Sequence, residues 1–237
     1  MHILVIDGNH VEAEFRAKFG PAHEYTFLNP DLALEESQKE VDQQIQSAAS
    51  VADVVFCFHS LISQTAGFFE NDRLPIFEEV IHLSLTEMMS YEAGLPAGLR
   101  FGFCGLPTLL NRPLLEVSLY HEADREQLAA TCAALGTDYR VVADRVGLVT
   151  PRVICQIINE ACFTVQEGTA TMADVDLGMK LGTNYPHGPF AWANAIGIER
   201  VYAVLEAMWH DTHDERYKVC PLLKRQALRG EPFQTTD

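Results

Sequence analysis

The chain has 237 residues, 48% of them hydrophobic, and it carries a formal net charge of −16. The length allows one large domain or two smaller ones, and the acidic balance argues against nucleic acid as a partner, because binding to phosphates requires clustered Lys and Arg. No stretch approaches the roughly 18 uninterrupted apolar residues of a membrane span, and no amino-terminal targeting signal is present, so we expect a cytoplasmic protein without a membrane partner.

The first 145 residues alternate between strand-like and helix-like segments. Apolar runs predict strands at 2–7, 25–29, 53–58, 80–85, 99–103, 114–119 and 139–144. The helical spacing of Val41, Ile45 and Ala49 predicts a helix between the second and third runs, and another is predicted over 124–135. Buried strands that alternate with helices predict an α/β domain with a parallel sheet over residues 1–145.

After Asp144 the apolar period becomes helical. The residues that line one face of the first helix are Ile154, Ile158, Ala161 and Val165. Thr171 with Asp174 resembles a capping box that begins the next helix, and Gly182 is expected to end it. These patterns predict an all-helical second domain over residues 146–237.

The cysteine and histidine residues give no pattern typical of a metal centre. The six cysteines lack CxxC spacing and lie mostly in apolar segments, at Cys57, Cys104, Cys132, Cys155, Cys162 and Cys220. Cysteines in such surroundings usually act as small hydrophobic side chains. His210 and His213 have metal-compatible spacing, but no third ligand is close in sequence. We predict neither disulfides nor a bound metal.

The first predicted strand runs into the segment VIDGNHVEAEF, which has the position of a dinucleotide-binding turn. In a glycine-rich turn of this kind the three small positions would be Gly8, His10 and Ala13. The histidine places a side chain where a phosphate would approach, and Glu12 and Glu14 add negative charge to the start of the helix. The sequence favours the remnant of a dinucleotide site over a working one.

The segment 167–207 carries a resemblance to a known family. It contains an acidic helix with Asp176, the turn YPHGPF and a following IGI helix. This pattern resembles the C-terminal helical domain of 3-hydroxyacyl-CoA dehydrogenases, over about 90 residues from Asp144 onward. The resemblance implies a reduced Rossmann-like domain followed by a helical domain that forms part of the substrate cleft and a homodimer interface. It also implies NAD-dependent oxidation of 3-hydroxyacyl-CoA, such as 3-hydroxybutyryl-CoA, to 3-oxoacyl-CoA.

The resemblance also assigns positions in the first domain to the family's functional residues. The segment RFGFCGLPTLLNRPLLEVSL equates Cys104 with the catalytic histidine and Glu116 with the carboxylate that orients it. In the same way Ile81 takes the place of a catalytic serine, and Pro151 that of a substrate-facing asparagine. Of these four positions only Glu116 keeps the family's residue.

The resemblance implies NAD as the cofactor, with Gly8, Asn9 and Asn29 as its contacts. Cys104 beside Glu116 would be a poor proton acceptor, and a packed cysteine is the favoured interpretation. His59 follows the third strand, where open α/β sheets place ligands, and His82 lies beside the substituted serine position, so either is a candidate for a relocated base.

Three functions remain open at this point. The first is a dehydrogenase with a relocated base, and the second is a non-catalytic homologue that binds acyl-CoA or a protein partner and dimerises through its helical domain. The third is an enzyme of unrelated chemistry. Because three of the four family positions are substituted, we expect weak or lost dehydrogenase activity.

Overall fold

The structure, a computed structural model, describes residues 1–29, 38–58, 73–91 and 98–235. The chain forms two compact units. The first comprises Met1–Gly105 with Leu109–Leu148, and the second Leu106–Thr108 with Val149–Asp237. No helix within the described ranges is both long enough and apolar enough to cross a membrane.

A single sheet of seven described strands organises the first unit. The strands are β1 (His2–Ile6), β2 (Glu24–Leu28), β3 (Val54–Cys57), β4 (Pro75–Glu79), β5 (Leu99–Phe103), β6 (Leu114–Leu119) and β7 (Asp138–Val141). Their order across the sheet is β2-β1-β3-β4-β5-β6-β7, and every neighbouring pair is parallel except β5 and β6. The predicted α/β fold is confirmed. The antiparallel direction of β5 and β6 could not be predicted, because an apolar run does not indicate strand direction.

Helices cover both faces of this sheet. Those described in the first unit are α1 (Glu12–Phe19), α2 (Gln38–Ala49), α3 (Leu85–Tyr91) and α4 (Arg125–Leu135). One buried cluster contains Phe15 and Phe19 of α1 with Leu128 of α4. The other contains Val41 and Ile45 of α2. Because the central strands are buried on both faces, they read as continuous apolar runs in the sequence.

The strand predicted over 80–85 is wrong. β4 ends at Glu79, and Leu85 already begins α3. The apolar pattern did not predict β4, because the strand contains Glu78 and Glu79 and Glu is almost never fully buried unless it is paired. Glu78 is only 3% exposed, and it is hydrogen-bonded to Arg100 of β5, which is 2% exposed. A buried ion pair thus occupies a position where the sequence pattern expects an apolar residue.

The second unit is helical, as predicted. Its helices are α5 (Thr150–Gln166), α6 (Met172–Thr183), α7 (Pro189–Ile196), α8 (Ile198–Thr212) and α9 (Pro221–Arg229). The predicted capping box at the start of α6 is confirmed, since the Asp174 amide donates to Thr171 Oγ1 at 3.1 Å. Gly182 does not end α6. The helix continues to Thr183, and Asn184 ends it with a left-handed φ of 56°.

The residues that carry the sequence resemblance join α6 to α7. The carboxylate of Asp176 accepts hydrogen bonds from the amides of Phe190 at 2.7 Å and Ala191 at 2.9 Å, which caps the start of α7. A Cβ at Gly188 would lie 2.6 Å from the Cα of Asp176, so only glycine allows this approach. The motif is therefore explained by helix packing and capping.

The second unit also includes Leu106–Thr108, which come before the rest of that unit in the sequence and lie in the loop between β5 and β6. The side chain of Trp192 on α7 donates from Nε1 to Thr108 Oγ1 at 2.8 Å. Leu106 is fully buried. The loop between β5 and β6 thus supplies part of the helical unit's interior.

Candidate functional site

The strand order reverses between β1 and β3, which is where open α/β sheets bind ligands beyond the carboxyl ends of their strands. Gly8 and Asn9 follow β1, and Asn29 follows the neighbouring β2. The Asp7 amide donates to the carbonyl of Leu28 at 2.8 Å, which joins the two strand ends. The structure therefore brings these three predicted cofactor contacts to one edge of the sheet.

The turn after β1 differs from the expected glycine-rich turn. The left-handed residue is Asp7, with a φ of 59°, whereas Gly8 has an ordinary φ of −103°. Gly8 is required for space instead. A Cβ there would lie 2.8 Å from two ring atoms of Phe58 and closer still to Val5. The backbone at this turn packs against side chains, which leaves it no open approach on that face.

The helix that follows this turn also departs from a dinucleotide-binding pattern. Ala13, the predicted third small position, is exposed, and it is Phe15 that packs α1 against the sheet. The first turn of α1 contains Glu12 and Glu14, and Glu12 pairs with Arg16 at 2.8 Å. These carboxylates oppose the attraction that a helix start otherwise has for anions.

Phe58 directly follows β3, at the same edge of the sheet as the turn after β1. Its ring atoms would contact a Cβ at Gly8 on one side and at Gly105 on the other. His10 meets the ring edge-on with centroids 5.5 Å apart, and Phe103 meets it with centroids 5.2 Å apart. Sequence analysis missed this residue because it was counted as the end of an apolar strand. The described residues at this edge do not fit the diphosphate of NAD.

A second group of candidate residues lies at the end of β5 and on β6. Phe103 pairs with Val117 in the antiparallel register. Cys104 directly follows Phe103, and Glu116 directly precedes Val117, so the two positions that the resemblance equates with the family's catalytic pair flank one paired position of the sheet. Cys104 is 2% exposed, as expected of a packed cysteine. Glu116 is bound instead by Arg112, whose Nη2 lies 3.5 Å from its Oε1.

Arg112 is held in this position by backbone contacts. Its Nε donates to the carbonyl of Leu109 at 2.7 Å, and its own carbonyl accepts from Lys18 Nζ at 2.6 Å. Burial, and then the positive charge of Arg112, lower the pKa of Lys18 to about 8. Arg112 was not a sequence candidate, although it lies four residues before Glu116, a spacing that permits such a pair.

Asp144 is a further polar centre that the sequence did not identify. It accepts hydrogen bonds from the amides of Leu85 and Thr86, each at 2.8 Å, which caps the start of α3. It also accepts from the hydroxyl of Thr86 at 2.8 Å and from that of Ser118 at 3.2 Å. These bonds give it a positioning role for α3 relative to β6.

Two of the other positions named from the sequence hold side chains that cannot accept a proton. Ile81 is 1% exposed, and Pro151 lies in the first turn of α5. His82 is exposed. His59 lies outside the described residues, so its proposed role as a base stays a prediction.

The two histidines near the end of α8 pack against one aromatic ring. His210 and His213 lie with their ring centroids 5.0 and 5.3 Å from that of Trp209. His213 takes the left-handed conformation that ends the helix. Within the described ranges, no group of three or more His, Cys, Asp or Glu is arranged to hold a metal ion.

Comparison with known proteins identifies the helical part of the chain. Residues 147–237 match the family model of the 3-hydroxyacyl-CoA dehydrogenase C-terminal domain. The chain is 42% identical over 94 residues to 3-hydroxyadipyl-CoA dehydrogenase of Escherichia coli. That alignment covers 40% of this chain but only 20% of the relative.

Two further comparisons extend over nearly the whole chain. It is 29% identical to 3-hydroxybutyryl-CoA dehydrogenase of Bradyrhizobium diazoefficiens over 257 aligned positions, which cover 97% of this chain and 85% of the relative. The crystal structure of (S)-3-hydroxybutyryl-CoA dehydrogenase from Ralstonia eutropha superimposes with a TM-score of 0.68 at 22% identity, covering 97% and 94% of the two chains. This likeness shows a common fold, a Rossmann-like domain followed by a helical one.

Proposed function

We propose that the chain is a member of the 3-hydroxyacyl-CoA dehydrogenase family, that it binds 3-hydroxyacyl-CoA thioesters and that its NAD-dependent oxidation of them is weak or lost. 3-Hydroxybutyryl-CoA is the substrate we favour, since the full-length relative is named for it. The observation that carries the loss of activity is the pairing of Glu116 with Arg112, together with the buried Cys104 at the position of the family's histidine.

The family reaction requires a proton acceptor close to the substrate. A base removes the proton of the 3-hydroxyl group while hydride leaves C3, and a carboxylate that orients the base raises its proton affinity. In this chain the carboxylate of Glu116 pairs with the Arg112 guanidinium, which is a donor only and cannot accept a proton. The thiol of Cys104, at the position of the family's histidine, is buried. Neither Arg112 nor Cys104 is suited to replace a histidine as the base.

The second candidate is a non-catalytic homologue that binds acyl-CoA or a protein partner. It is favoured by the same residues, because Glu116 pairs with an arginine and the position of the family's histidine holds a buried cysteine. It predicts thioester binding without turnover, or no thioester binding at all if the ligand is a protein.

The dehydrogenase assay tests this proposal directly. With purified protein, NAD and (S)-3-hydroxybutyryl-CoA, we expect turnover at least about 10³-fold below the roughly 10 s⁻¹ of an ordinary enzyme. Calorimetric titration with acetoacetyl-CoA, done separately, is expected to show binding. Turnover near 10 s⁻¹ would contradict the proposed loss of activity, and absence of acetoacetyl-CoA binding would contradict the proposed substrate class.

We also propose a homodimer formed by the helical unit. Leu177 and Leu181 on α6 are 57% and 78% exposed, and they lie four residues apart on one helix face. Gly178 and Gly182 add open space along this helix, since a Cβ at either would have no neighbour within 4 Å. This exposed apolar face supports association with a second copy.

Sedimentation velocity at micromolar concentration tests the dimer. We expect the wild-type protein to sediment as a dimer and the Leu181→Asp variant as a monomer, because a buried carboxylate would oppose the apolar contact. Leu228→Asp on α9 is the matched control, since Leu228 is 70% exposed but lies on another helix. A monomeric wild-type protein, or equal effects of the two substitutions, would refute this interface.

A cytoplasmic location is also proposed. All six cysteines are buried and none of them forms a disulfide, as is usual in a reducing compartment.

A further inference from the structure

We infer that Phe58 closes the dinucleotide crevice of this chain and excludes the diphosphate of NAD from the edge of the sheet. The inference rests on the proposed function only in taking NAD as the family's cofactor. It concerns a different residue from those assigned to proton transfer, because Phe58 follows β3, whereas Cys104 follows β5 and Glu116 lies on β6.

The ring lies between two glycines that would otherwise present bare backbone. Cδ2 and Cε2 of Phe58 are each 2.8 Å from the Cβ position of Gly8. Cε1 and Cδ1, on the opposite side of the ring, face the Cβ position of Gly105, and Cδ1 is 2.7 Å from it. A dinucleotide needs its glycine backbone free so that the diphosphate can approach it. Here the phenyl ring of Phe58 occupies the space beside the backbone of both Gly8 and Gly105.

Neighbouring aromatic rings hold Phe58 in place. Phe103 and His10 meet it edge-on, with interplanar angles of 89° and 88°. Phe15 lies 6.2 Å away between centroids, and Phe58 itself is only 6% exposed. The ring therefore belongs to the packed core, and moving it aside to admit a nucleotide would disrupt these contacts.

The charges at this edge act in the same direction. The first 15 residues contain no Lys or Arg, so Arg16 is the first permanently charged cation of the chain's side chains. Glu12 and Glu14 lie in the first turn of α1, and the cation nearest in sequence, Arg16, is paired with Glu12. A diphosphate that displaced Phe58 would still meet the carboxylates of Glu12 and Glu14 in the first turn of α1.

The test is the affinity for NADH of the wild-type protein and of Phe58→Ala, followed by nicotinamide fluorescence. We expect no saturation of the wild-type protein up to about 1 mM NADH, an affinity at which binding free energy is only about 4 kcal/mol. Phe58→Ala is expected to bind at least tenfold more tightly, since removal of the ring exposes the backbone of both glycines. Phe58→Leu, which leaves a smaller cavity, is measured as well in case the alanine variant does not fold.

The matched control is Phe101→Ala. It removes the same kind of side chain from the same core cluster, but Phe101 packs on Phe77 and not on the glycines at this edge. A gain in NADH affinity confined to the Phe58 variants supports the inference. Saturable NADH binding by the wild-type protein at micromolar concentration overturns it, as does an unchanged affinity in folded Phe58 variants. Acetoacetyl-CoA titration of the same proteins reports separately on the proposed substrate class.

Discussion

Replacement of Arg100 by leucine is expected to lower the free energy of unfolding by about 3–5 kcal/mol, because it leaves the carboxyl group of Glu78 buried without its cation. Both side chains lie in the centre of the sheet and are almost inaccessible to solvent. Burial already raises the pKa of Glu78, and the adjacent guanidinium opposes that rise. Urea denaturation followed by circular dichroism measures the change.

Two further variants make this result specific. Arg100→Leu combined with Glu78→Leu is expected to recover most of the lost stability, since neither charge then remains buried. Arg125→Ala removes the exposed ion pair with Glu122, and it is expected to leave the unfolding midpoint unchanged. If Arg100→Leu is no more destabilising than Arg125→Ala, the buried pair does not have the importance assigned to it here.

Replacement of Asp176 by alanine is expected to lower the free energy of unfolding by about 3 kcal/mol. The substitution leaves the amides of Phe190 and Ala191 without an acceptor at the start of α7, and the first of these two residues is fully buried. Thermal denaturation measures the loss, and Asp176→Asn is expected to recover part of it, because the amide oxygen still accepts one hydrogen bond.

Asp174→Ala is the control for the Asp176 prediction. Asp174 caps the neighbouring helix α6 at an exposed position, so its loss is expected to cost only about 1 kcal/mol. Equal effects of the two substitutions would contradict the structural importance given to Asp176.

The elements that sequence analysis placed well are those whose pattern depends on burial alone. The bounds of β5 and β6 agree with the apolar runs at 99–103 and 114–119. β4 was missed because its burial depends on a partner from another strand, and no local pattern announces that Glu78 will meet Arg100. Long-range pairing is the information that the periodicity of one segment lacks.

The candidate site shows the same division. The resemblance linked Cys104 to Glu116, and these two residues flank Phe103 and Val117, which pair between β5 and β6. It did not reveal that Arg112 would bind Glu116, or that the ring of Phe58 would lie against Gly8 and Gly105. Both depend on side-chain directions that follow only from tertiary packing. The roles of these residues in binding remain predictions.

The hydrogen bond from Trp192 to Thr108 has a consequence for how this protein can be divided. The match to the family model begins at residue 147, and a fragment that starts there would lack Leu106 and Thr108. Its indole N–H would lose its acceptor, and the space that the buried leucine fills would open to water. The region that the family model matches and the compact helical unit are therefore different lengths of chain. We expect a stable fragment to require residues 106–108 of the β5–β6 loop as well.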